Sequence, residues 1–319
     1  MKKLIFQIGV SLLFIGLLFY LMRNDFPEIL HTLKNVDRPL FALAFLVCLS
    51  TVPILAKRLQ LIFAAEDVPV KMVDTSNLTF VGFFFNNFLP TSVGGDIVKA
   101  MCAARITKAP VKSVTSVLMD RVFGLFTFII IPSVSFLFFL KKVNNPWVPV
   151  VIYSFLAVAT LFFILLFNRN AARRFRFIER LLNCFHLGEK ARKIYDGMHG
   201  FKKHKVVIAQ VLLLSIVGQS ISILVVYLMA LALGVHANLI YFFLLVPVVN
   251  LMSMLPSLNG LGIRESAYTY FLAPFLGREN AFAISVLWLA VLFLFSLIGG
   301  IIYLVRHDYH IRFKEAAAS

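Results

Sequence analysis

Charge is scarce in this chain, and negative charge above all. Of 319 residues only 14% are charged, and 15 Asp and Glu stand against 31 Lys and Arg. A water-soluble domain carries roughly a quarter charged residues, so most of this chain is not built to face water. Cysteine is nearly absent. Cys48, Cys102 and Cys184 stand alone without CxxC spacing, which points away from a disulfide framework and from a thiolate zinc site. The 7 His are scattered, and the closest pair, His307 and His310, has no third partner nearby, so no metal is expected. No GxSxG, HExxH, P-loop or glycine-rich dinucleotide fingerprint occurs. The sequence therefore predicts no cofactor, no catalytic residue and no nucleotide-driven pump.

What the chain has is long runs free of Asp, Glu, Lys and Arg: 4–22, 39–56, 75–95, 122–140, 143–168, 206–263 and 280–305. A helix needs about 20 apolar residues to cross a hydrocarbon layer about 30 Å thick. Several runs meet that length, so the fold class is an all-α polytopic membrane protein. The net charge of +16 would suggest nucleic acid in a soluble protein. Here it reads as the excess of Lys and Arg in cytoplasmic loops, and no nucleic-acid partner is expected. Lys2-Lys3 and the apolar run to Met22 resemble a secretion signal, but Phe19-Tyr20-Leu21-Met22-Arg23 offers no small-residue cleavage site. The run is read as a retained first span.

The charges set a topology with both termini cytoplasmic, in the cell (inner) membrane. Spans at about 4–22 and 39–56 return the chain to Lys57-Arg58 on the inside. Lys99, Arg105, Lys108 and Lys112, with no acid among them, mark 99–112 as inside too. The uncharged stretch 75–95 thus lies between two inside loops. A single crossing would place the second loop on the wrong face. Its centre, Asn86-Asn87-Phe88-Leu89-Pro90-Thr91-Ser92-Val93-Gly94-Gly95-Asp96, is also a poor lipid-facing helix, because Pro removes a donor and Gly-Gly permits a tight turn. A re-entrant hairpin over about 75–105 solves both problems, since irregular backbone at membrane depth needs cover from protein or a wet cavity.

Spans follow at about 114–140 and 147–167. Segment 168–205 carries eleven Lys and Arg against Glu179, Glu189 and Asp196, and is read as amphipathic helix on the anionic inner leaflet. The 58-residue run 206–263 is too long for one span. It breaks at Gly234–Asn238, giving a span at about 206–233 and a second hairpin at about 239–276 that turns through Pro256–Gly262. A last span at about 280–305 leads to a cytoplasmic tail, 306–319.

The two hairpins match. Leu89-Pro90-Thr91 aligns with Leu255-Pro256-Ser257 and Gly94 with Gly260, at a constant offset, and an acid follows each, Asp96 and Glu265. Asn86 and Asn87 precede the first proline, Asn250 the second. Each half (1–140 and 147–305) then has three crossings and one hairpin. Three is odd, so the halves are inverted, an arrangement common in secondary transporters. The plainer alternative is a pair of full spans kinked by Pro and Gly.

At each break a short returning helix begins near the midplane. Its unpaired N–H groups suit phosphate or carboxylate, with Lys99 and Arg264 close by. The candidate head-group site comprises Asn86, Asn87, Pro90, Gly94, Gly95, Asp96, Lys99, Asp120, Arg121, Asn250, Pro256, Asn259, Gly260, Gly262, Arg264 and Glu265. Ionisable groups at this depth face a cavity or a partner. Arg121 is expected to pair with Asp96 or with a substrate phosphate. Asp96 and Glu265 are expected to cap helix N-termini or take protons. For Asp120-Arg121 an interfacial pair at the inside end of a span is the alternative, and Gln219 is expected to make an interhelical hydrogen bond.

Asn87-Phe88-Leu89-Pro90-x3-Gly94-Gly95-Asp96-x2-Lys99, then Asp120-Arg121-x2-Gly124-Leu125, then Pro256-x3-Gly260-x-Gly262-x2-Glu265 resembles the flippase-like family, the lysylphosphatidylglycerol synthase transmembrane-region family. The resemblance covers nearly the whole chain. Members commonly carry Glu and Arg where this chain has Asp96 and Lys99, so charge is kept while a planar fork gives way to an ammonium. The resemblance implies movement of a membrane lipid between leaflets, anionic or polyprenyl-phosphate-linked. Its soluble aminoacyltransferase domain has no counterpart in these residues. The alternatives are a lipid-modifying transferase, a glycosyltransferase-associated protein, and a scaffold or homo-oligomer that recruits such an enzyme through 168–205.

Overall fold

The computed structural model describes residues 31–89, 93–137, 197–254 and 260–309, together with residue 157. Among these, regular structure is helical throughout. The expected spans at 4–22 and 147–167, the 168–196 part of the basic segment, and Pro90, Pro256 and Asn259 lie outside the described residues.

Helix α1 (Arg38–Leu49) starts where the Asp37 carboxylate accepts from the Leu40 amide at 3.0 Å, with a proline in the first turn. It runs almost without interruption into α2 (Thr51–Ala65). The seam is Ser50, just after Leu49, whose carbonyl gets no amide proton from Pro53 four residues on. Together they form one 28-residue span, Arg38–Ala65. Three more helices are long and apolar enough to cross a membrane: α5 (Pro110–Leu137), α6 (Lys205–Ala232) and α9 (Arg278–Val305). At 1.5 Å per residue a 28-residue helix reaches about 42 Å, more than a bilayer core.

The remaining helices are shorter and come in pairs: α3 (Met72–Phe88) with α4 (Gly94–Thr107), and α7 (Leu239–Met252) with α8 (Ile263–Leu276). A 14-residue helix reaches only about 21 Å. In the first pair α4 returns along α3: a Cβ on Gly95 would stand 2.1 Å from the Gly82 carbonyl oxygen, and the Gly95 amide donates to Asn86 Oδ1 at 2.9 Å. Only glycine allows that approach of two backbones. In the second pair, Gly260 and Gly262 hold φ of +75° and +81°, a left-handed conformation that favours glycine.

The pairs open at opposite ends of the bundle. At one end Lys112 Nζ reaches the Glu66 carbonyl at 2.7 Å, Gln60 reaches Val70 O at 3.0 Å, and Arg306 holds Asp74 at 2.6 Å. These links gather the end of α2, the start of α3, the start of α5 and the end of α9. Exposed Lys71, Arg105, Lys108, Lys112, Lys202 and Lys203 stand there. At the other end the Asp37 amide donates to Ala232 O at 2.8 Å, and Tyr241 stacks on Phe275, joining the starts of α1 and α7 to the ends of α6 and α8.

Packing follows the pairs. One core joins Leu59, Phe63, Leu78, Val98 and Cys102 around α3–α4, and closes on Tyr309, which is fully buried. A second joins Ile223, Phe242, Val246, Tyr268 and Ile284 around α7–α8. A third, Ala44, Val52, Val225, Val291 and Phe295, joins α1, α2, α6 and α9.

Two expectations need correction. The span placed at 39–56 continues to Ala65, so Lys57-Arg58 is not a loop: both belong to α2, and Arg58 is buried. A charge-free window stops at the first cation, whether or not that cation has an acid waiting inside the bundle. The end of the basic segment is not all surface either. Met198 and Phe201 are buried among Ile62, Met119, Phe123 and Val211.

Candidate functional site

Asp120 lies ten residues into α5, about 15 Å from its start, and is buried. A lone carboxylate there would be costly, and the bundle supplies two cations. Arg58 Nε from α2 donates to its Oδ1 at 2.7 Å, and Lys99 Nζ from α4 donates to its Oδ2 at 2.9 Å. Arg58 also reaches Ser215 Oγ on α6 at 3.2 Å. One carboxylate therefore ties α2, α4 and α5 together, and the guanidinium carries the tie on to α6. Asp120 is thus paired with Arg58 and Lys99 rather than with its neighbour Arg121. Arg58 and Ser215 were not expected from sequence. The signal for Arg58 was the apolar run Leu59–Ala65 after it, which continues the helix past the cation.

Next to this network, Arg121 Nη1 stands 3.3 Å from Asp96 Oδ2, the partner expected for it. Asp96 lies in the first turn of α4. Glu265 caps α8: its Oε2 accepts from the Gly262 amide at 2.6 Å, while its Oε1 accepts from Arg264 Nε at 3.0 Å. Each acid that follows a break thus forms an ion pair, Asp96 with Arg121 and Glu265 with Arg264, and Glu265 caps its helix as well.

These groups surround a cavity of about 350 Å³ inside the bundle. Arg58, Lys99, Arg121 and Arg264 supply four cationic side chains to its wall, against the carboxylates of Asp96 and Asp120. Asn86 at the end of α3, Asn250 in the last turn of α7, and Ser253 and Met254 just after it also line it. Both helix pairs thus contribute to one wall. Gly94 and Gly95 are buried and set how closely α3 and α4 approach, while Gly260 and Gly262 shape the turn before α8.

Asn87 is brought elsewhere. Its amide donates to Leu292 O at 2.9 Å and to Ser296 Oγ, pinning α3 to α9. Asn86 and Asn87 are adjacent, so on a helix they point about 100° apart, and only one can face the cavity. The hydrogen bond expected for Gln219 is not made by its Nε2, which is buried without a partner among the described residues and lies at the cavity wall.

A model of the family described as the lysylphosphatidylglycerol synthase TM region matches residues 4–300. The chain belongs to that family. Comparison with curated proteins returned no match. As a member of the lysylphosphatidylglycerol synthase TM-region family, with four described helices able to cross a bilayer, it is a multi-pass membrane protein of a lipid-related family. In this family member the cation-rich cavity is the feature that calls for a ligand. Among the described residues no group of three or more His, Cys, Asp or Glu is placed to hold a metal ion.

Proposed function

We propose that this protein moves a lipid with an anionic head group, a phospholipid or a polyprenyl-phosphate-linked lipid, between the leaflets of the cell membrane. The observation that carries the reading is the cavity wall: four buried or half-buried cations against three carboxylates, Asp96 and Asp120 in the wall and Glu265 bonded to Arg264, inside a bundle of helices long enough to span a bilayer. Such an excess of positive charge away from water favours an anion, and Arg in particular suits phosphate. The short paired helices, too brief to cross alone and opening at opposite ends, support a reading as re-entrant hairpins of an inverted repeat. Their tips would bound a head-group site reached alternately from either face. The end rich in exposed Lys and Arg would face the cytoplasm, with 168–205 resting on the anionic leaflet.

Reconstitution tests this directly. Vesicles carrying a fluorescent short-chain phosphatidylglycerol should show leaflet exchange faster than protein-free vesicles, and Asp96→Asn and Glu265→Gln should slow it. A new covalent lipid product with no exchange would support a transferase instead. Loss on neutralising 168–205, with the hairpin carboxylates indifferent, would support a scaffold.

A further inference from the structure

Three carboxylates stand at the cavity or against it, and their oxygens are satisfied unequally. Both oxygens of Asp120 accept hydrogen bonds from cations. Both oxygens of Glu265 accept, one from a backbone amide and one from Arg264. Asp96 differs. Its Oδ2 is buried without a hydrogen-bond partner among the described residues, and its tie to Arg121 is an ion pair at 3.3 Å. These two side chains are also the more accessible ones, 18% for Asp96 and 27% for Arg121, against 10% for Arg58 and 8% for Lys99.

An entering phosphate therefore meets cations whose carboxylate partners are satisfied unequally. Arg58 and Lys99 are bound to a fully satisfied carboxylate, and Arg264 to its cap residue. Arg121 is the most exposed of the three cations that face Asp96, and its bond to a carboxylate is the longest. The charged groups around Asp96 are Lys99 on its own helix, Asp120 and Arg121 on α5, and Arg58 on α2. From α3 the neighbour is the neutral amide of Asn86. The His307–Tyr309 segment packs further along α4, at Cys102. Once a phosphate engages Arg121, Asp96 faces a second anion while its remaining cations are shared with Asp120. A buried carboxylate that loses its partner is neutralised at less cost than it is kept charged.

The geometry points to Asp96 as a proton-binding site coupled to the head-group site: the phosphate displaces Asp96 from Arg121, and Asp96 takes one proton from water in the cavity. The step forms one O–H bond on the carboxylate, breaks one O–H bond of a hydronium ion that reaches the cavity water from the bulk, leaving neutral water, and breaks no bond in the lipid. It supplies a route by which a proton gradient drives or biases lipid movement. The inference rests on the proposed head-group site and adds the ion that accompanies the lipid.

Calorimetric titration of the detergent-purified protein with dioctanoyl phosphatidylglycerol, run in two buffers of different ionisation enthalpy, tests it. The wild type should take up about one proton per lipid bound, and its affinity should weaken about tenfold per unit rise in pH. Whatever affinity Asp96→Asn retains should show no proton uptake and no such dependence, and Arg121→Gln should lose about tenfold or more in affinity. Binding without proton uptake by the wild type overturns the coupling and leaves the head-group site standing. Uptake that persists in Asp96→Asn overturns the assignment to Asp96. No binding at any pH overturns both. The wild-type measurement does not depend on any variant folding.

Discussion

Arg58 and Lys99, from two different helices, meet on the single carboxylate of Asp120, one at each oxygen, 2.7 and 2.9 Å away. The pairing joins α2 to α4 through α5 and places two cations at the cavity wall.

Removing Asp120 should therefore be more damaging than removing either cation. Asp120→Ala leaves two buried cations without their anion, a change expected to cost about 3–5 kcal/mol. Arg58→Met leaves Lys99 on the carboxylate and should cost less. Thermal unfolding of the purified variants in one detergent checks the order, and equal losses would contradict it.

Gly82 and Gly95 face each other but should not respond alike. A Cβ on Gly82 would meet the flexible Lys99 chain at 3.6 Å, an ordinary contact. A Cβ on Gly95 would lie 2.1 Å from backbone oxygen and 2.6 Å from the Asn86 amide carbon. Gly82→Ala should be close to neutral. Gly95→Ala should cost about 3 kcal/mol or more, because the two helices must separate. Expression yield and melting temperature will distinguish them.

Glu265 both caps α8 and holds Arg264. Glu265→Gln can keep the oxygen that accepts from the Gly262 amide and lose only the charge, whereas Glu265→Ala loses both. The alanine variant should be the less stable by about 1 kcal/mol, the usual worth of a helix cap. Melting curves that rank glutamine below alanine would rule out the capping role.

At the lysine-rich end, Arg306 and Tyr309 anchor the same short segment with unequal effect. The Arg306 side chain is 41% exposed on its bridge to Asp74, so Arg306→Ala should cost no more than about 1 kcal/mol and less at high salt. Tyr309 is fully buried against the α3–α4 core. Tyr309→Ala should cost about 3–5 kcal/mol. Salt-dependent melting of both variants separates the electrostatic share from the packing share.

Cys48 lines the cavity and offers a native probe of it. In a Cys102→Ser, Cys184→Ser background, a small neutral maleimide should label Cys48, and bound phosphatidylglycerol should slow labelling several-fold. Labelling unaffected by lipid would argue against the cavity as the head-group site.

Much of this was legible in the chain itself. Long charge-free runs required bilayer-spanning helices, and Pro-x3-Gly repeated at a constant offset marked both helix breaks, because each effect depends only on local backbone chemistry and on the cost of charge in lipid. Even the Asp96–Arg121 pairing was within reach, since few charged groups exist at that depth to choose from. Tertiary structure decided the rest. Arg58 reads as a loop cation until a carboxylate from a helix 62 residues away is packed beside it. Asn86 and Asn87 look equivalent until the hairpin's rotation sends one to the cavity and the other to α9. Asp96 and Glu265 each follow a break yet differ in partner: Asp96 meets Arg121 on another helix, whereas Glu265 holds its own neighbour Arg264 and the Gly262 amide. Contacts between helices distant in sequence fix these outcomes, and no local pattern encodes the angle at which one helix faces another.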